Sequence, residues 1–70
     1  AGNDAMLISV IAPASIDEKT ISVGDVVASR PIPTDASRRR LALRVAVARL
    51  HEAIPALRTA GATIEHLYDY

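Results

Sequence analysis

The residues of this chain with chemistry to offer are two histidines, five serines and seven arginines. His51-Glu52 begins like a helical zinc site, in which two imidazoles four residues apart share one face. Position 55 is proline and no second histidine follows, so the pattern fails. His66 stands between Ile64 and Tyr68 with no carboxylate or second imidazole at a motif spacing, which fits a packed or half-exposed side chain better than a ligand or base. Ser9, Ser15, Ser22, Ser29 and Ser37 have no glycine-flanked nucleophile context. Gly2, Gly24 and Gly61 form no phosphate loop. With no cysteine, disulfides and thiolate metal sites are excluded. The residues therefore point to no catalytic site, no metal and no cofactor.

The arginines are the strongest remaining feature. Residues 35–60 carry Arg38, Arg39, Arg40, Arg44, Arg49 and Arg58 against Asp35 and Glu52, while the flanking segments are net acidic and the whole chain is neutral. A basic middle between acidic ends pairs with itself or with an acidic partner. Read on a helix, Arg40, Arg44 and Arg58 fall on one flank and are candidate contacts to an acidic protein partner. Nucleic acid is disfavoured: the net charge is zero, and Tyr68 and Tyr70 are the only aromatic residues for base stacking.

The elements that must position these residues follow from the apolar pattern. Half the chain is apolar, but thirteen residues are alanine and there is no Phe or Trp, so the core is thin. Seventy residues make one domain, 1–70, with residues 1–5 expected as a flexible end. Chains this small lean on a metal, disulfides or a partner chain for stability, and only the last is open here. No apolar run is long enough to span a membrane. The first residues lack the basic start of an intact signal peptide, and a cytoplasmic location is only slightly favoured.

Met6 to Ala12 is short, β-branched and apolar on both sides except for Ser9, as in a central strand. Ser15 to Glu18 has capping-box spacing for one helical turn. Thr20 to Ser29 reads as one strand bulged at Gly24, or two short strands, ending at Pro31 and Pro33. Thr34 and Asp35 are N-cap types, and Leu43, Val47, Leu50, Ile54 and Leu57 recur at spacings of 4, 3, 4 and 3. This predicts a long helix to Ala60, kinked at Pro55 and closed by Gly61. On it, Leu41, Val45 and Ala48 form a second apolar face, a candidate protein interface. Ala62 to Tyr70 reads as a last strand with Ile64, His66, Tyr68 and Tyr70 on one face.

The expected fold is α+β: a small sheet of three to four short strands with one long kinked helix on one face, in the order β-β-α-β. The expected function is a small non-catalytic interaction module, self-associating or a subunit of a larger assembly. Residues 57–69, LRTAGATIEHLYD, resemble the helix–glycine–strand step of the ferredoxin-like propeptide inhibitors of subtilisin-type proteases. The resemblance covers about a fifth of the chain. It implies a domain that chaperones and inhibits its protease and presents a C-terminal segment, here ending at Tyr70, to the active site.

Overall fold

The computed structural model describes residues 4–17 and 21–69. Glu18, which completes the expected capping box, Thr20, Tyr70 and the first three residues lie outside them. Ser15 itself lies in a turn after the first strand.

The protein is α+β, with a four-stranded antiparallel sheet and one helix. β1 is Ala5–Pro13, β2 is Asp25–Ile32, β3 is Asp35–Ala46, α1 is Leu50–Thr59 and β4 is Thr63–Asp69. The chain order is thus β-β-β-α-β, and the order across the sheet is β2-β3-β1-β4. β1, apolar on both sides, is a central strand, as its sequence requires. Its first residue is not loose: Ala5 pairs with Ala46, and the Val47 N–H donates to the Asp4 carbonyl at 2.7 Å.

The long kinked helix is corrected by this architecture. Residues 35–46 form the longest strand of the sheet, and the helix proper covers ten residues. The physical reason lies in the alternation of Leu41, Leu43 and Val45 with Arg40, Ala42 and Arg44, a period of two. A 4-3 helical spacing can be drawn through the same segment by taking Leu43 and Val47 and skipping Leu41 and Val45. Burial decides between the periods: Leu41, Leu43 and Val45 are fully buried, whereas Val47 is 44% exposed. In the strand Arg38-Arg39-Arg40 also avoid a helix start, where positive charge would oppose the dipole.

α1 follows a single 3-10 turn at Val47–Arg49. Ala53 and Leu57 are buried against the sheet, with Leu50 and Ile54 at its margin. Glu52 in the first turn and Arg58 in the last complement the helix dipole. Pro55, the sixth of its ten residues, does not interrupt the element, which continues from Leu50 to Thr59; it deletes one backbone bond, to the His51 carbonyl. The helix ends in a Schellman arrangement. The Ala62 N–H donates to the Leu57 carbonyl at 2.9 Å, and the Gly61 N–H to the Arg58 carbonyl at 3.0 Å. Gly61 takes φ +90°, a conformation that favours glycine.

The core is one layer between α1 and one face of the sheet: Ile8, Val10 and Ala12 of β1, Leu41, Leu43 and Val45 of β3, then Ala53, Leu57 and Ala62. The opposite face of the sheet has no element packed on it among the described residues.

Candidate functional site: the uncovered face of the sheet

Antiparallel register sorts the uncovered face into three rows that cross the strands. The middle row is Ala28, Ala42, Ser9 and His66, from β2, β3, β1 and β4 in that order. One flanking row is Asp25, Arg44, Leu7 and Tyr68; the other is Arg30, Arg40, Ile11 and Thr63. The small side chains of the middle row leave a shallow hollow of about 260 Å³, walled by Leu7 and Tyr68 on one side and by Arg30 and Arg40 on the other. Tyr68 is 48% exposed, and its ring meets that of His66 at a centroid distance of 4.1 Å.

β4 reaches this face in an irregular way. Its register with β1 shifts between Ser9 and Val10, so that Ser9 faces His66 and Val10 faces Ile64. Glu65 is the extra residue of a β-bulge. The strict alternation expected for the last strand is therefore corrected. Ile64 packs toward the core, while His66 and Tyr68 stand opposite Ser9 and Leu7 on the uncovered face. The bulge turns the Glu65 carboxylate onto that same face.

There Glu65 binds three donors from two other strands. The Ser9 hydroxyl donates to Oε1 at 2.7 Å, Arg40 Nε donates to Oε1 at 2.9 Å, and an Arg40 terminal nitrogen donates to Oε2 at 2.9 Å. The Arg40 contact is the two-pronged match of guanidinium to carboxylate. Arg40 first, then Ser9, holds the Glu65 carboxyl below its ordinary value, and Glu65 in turn raises Arg40. A carboxylate so stabilised is a poor proton acceptor, and Ser9, bonded to it, gains no activation as a nucleophile. The cluster fastens β3 to β4 across β1.

Four of the other six arginines are also matched within the chain. Arg38 Nε lies 2.8 Å from Asp35, whose carboxyl is held low by Ser37 and then by Arg38. Arg44 lies 3.9 Å from Asp25, Arg49 lies 3.2 Å from Glu52, and Arg39 donates to the Ser29 hydroxyl at 3.0 Å. Arg30 has no carboxylate partner among the described residues.

The residues singled out from the sequence are thus redistributed. Arg40 and Arg44 share the uncovered face, but Arg58 lies on α1, across the sheet from them. Leu41 and Val45 point into the core and Ala48 is exposed in the 3-10 turn, so these three form no common surface. His51 is exposed on α1, 3.9 Å from Glu52. No group of three or more His, Asp or Glu side chains among the described residues could hold a metal. Leu7, Ala28, Arg30 and Ala42, which complete the hollow, lie on three strands that only the pairing brings together, and the sequence reading set Ala42 on a helix. Comparison with known protein families, with characterised proteins and with solved structures finds no match for the chain.

Proposed function

We propose that the protein is a non-catalytic interaction module that associates with a second copy of itself through the uncovered face of its sheet. The observation that carries this reading is the one-sided construction. An antiparallel sheet can leave one face to water when that face is polar; this one has a helix on one face only and keeps apolar side chains on the other. The other face keeps half-buried Leu7 and Ile11, small Ala28 and Ala42, and the exposed ring of Tyr68. Carboxylates of the same chain already engage Arg38, Arg40, Arg44 and Arg49, which favours a protein surface over a polyanion.

The test is the solution mass by light scattering, for the parent and for Ala42→Arg. Ala42 lies at the centre of the face and outside the core, so a long charged side chain there blocks the face and spares the fold. The expected result is a parent dimer and a monomeric variant with an unchanged circular-dichroism spectrum. A parent that stays monomeric at high concentration refutes the reading.

A second reading is an inhibitor-like domain of a subtilisin-type protease. It is favoured by the helix–glycine–strand step of residues 57–69, where Gly61 joins α1 to β4. Inhibition of such a protease by the purified chain would put this reading first.

A further inference from the structure

The uncovered face divides into two halves of different chemistry. The β2–β3 half carries Arg30, Arg40 and Arg44, and the β1–β4 half has no arginine or lysine. On the second half stand Leu7, Ile11 and Tyr68, with the Glu65 carboxylate turned onto it by the bulge. Resting on the reading of this face as a self-association surface, the distribution decides how two copies can stack.

A symmetric pair of sheets in aligned packing has its two-fold axis between them, either across the strands or along them. An axis across the strands sets β3 on β3 and exchanges the flanking rows, so that Arg40 faces the partner's Arg44, twice per dimer. Like charges in register against each other disfavour this pairing, although it also brings Arg30 toward the partner's Asp25. An axis along the strands sets β2 over the second copy's β4 and β3 over its β1, and keeps each row on itself. No arginine then faces an arginine. Arg44 lies over the partner's Leu7, where its stem can pack, and Ala28 lies over the partner's His66. Arg30, the face cation without a carboxylate of its own, lies over the partner's Thr63, one strand outward from the Glu65 carboxylate that the partner's Ser9 and Arg40 hold.

We infer that the protein forms a two-fold dimer whose axis runs along the strands, in which Arg30, standing over the partner's Thr63, extends its side chain inward to the Arg40–Glu65 pair of the opposite copy. At the centre Ala42 and Ser9 of one copy face Ser9 and Ala42 of the other and let the sheets approach. The dimer is a four-on-four sandwich with a helix on each outer face.

The chain has no cysteine, so introduced thiols are unique and can report the axis. Ala28→Cys and His66→Cys are both exposed substitutions at the two ends of the middle row. Equal amounts of the two variants are mixed and treated with a bis-maleimide of reach near the ~10 Å separation of packed sheets. The expected result is a cross-linked dimer in the mixture and none in either variant alone. With the axis along the strands, two copies of the same position lie three strand spacings apart, about 14 Å sideways in addition to the sheet separation. Cross-linking of Ala28→Cys with itself would show the other axis and overturn the inference, as would a dimer that cross-links in no combination. In the first case, monomerisation by Ala42→Arg would leave the open-face reading standing; a monomeric parent would remove both.

Charge reversal gives a second readout. Arg30→Glu sets a carboxylate against the partner's Glu65 and is expected to weaken dimerisation at least tenfold, while Arg30→Lys retains it and Arg58→Glu, on α1, leaves it unchanged. Equal dimer strength in Arg30→Glu and parent would overturn the inference.

Discussion

Arg40 of β3 and Glu65 of β4 are joined by two hydrogen bonds of 2.9 Å across the intervening strand β1. The bond links residues twenty-five apart in sequence. It depends on the β-bulge, because the regular alternation of β4 sets Glu65 and His66 on opposite faces. With the Ser9 hydroxyl as third donor, the pair ties one edge strand to the interior of a sheet whose core is thin.

This arrangement makes stability sensitive to acid. The folded-state value of Glu65 is depressed, so its contribution is fully present above the unfolded value and is lost as pH falls through the folded one. Denaturant midpoints of the parent are expected to fall progressively below about pH 5. Glu65→Gln should be less stable at neutral pH and fall less steeply in acid, retaining the slope owed to Asp35, which is also held low. Parallel curves for the two proteins would show that the Arg40–Glu65 pair carries no stability.

Core substitutions separate the strand reading of residues 35–46 from a helical one. Leu43 is fully buried, and Leu43→Ala should cost about 2–5 kcal/mol. Leu50 is only partly buried at the core margin, so Leu50→Ala should cost clearly less. Val45→Asp places a charge in the core and should abolish folding rather than association. Thermal unfolding of the three variants checks the ranking; a folded but monomeric Val45→Asp would return Val45 to a surface.

Gly24 is fixed by close approach rather than by its backbone angle. A Cβ there would stand 2.6 Å from the Arg44 carbonyl oxygen and 2.7 Å from a methyl of Val45. The backbone of β3 cannot yield without disturbing its pairing, so Gly24→Ala should cost about 1–3 kcal/mol, as overpacking does. An unchanged unfolding midpoint would mean that the segment before β2 moves freely away from β3.

Much of this fold is legible in the sequence, and the failures have identifiable causes. Met6 to Ala12 announces a central strand because both its faces are apolar. Gly61 announces the helix end because a left-handed cap needs it. Residues 38–46 misled because Arg, Leu and Ala favour helices, and because Leu43, Val47 and Leu50 mimic a helical stripe that continues truly from Leu50 onward. The pairing of β3 with β1 overrides that propensity. The candidate face was hidden by the same error: Arg40 and Arg44 were legible as neighbours at either period, whereas Ala28, Ala42 and Leu7 meet only through strand pairing. The bulge at Glu65 leaves no mark in composition.

Association through the uncovered face of the sheet is read out by following backbone amide chemical shifts of labelled protein on dilution from millimolar to micromolar concentration. Concentration-dependent shifts are expected at Leu7, Ser9, Ala28, Ala42 and Tyr68, with Ala56 and Arg58 on α1 unmoved. Shifts confined to α1, or none anywhere across the dilution, would contradict it.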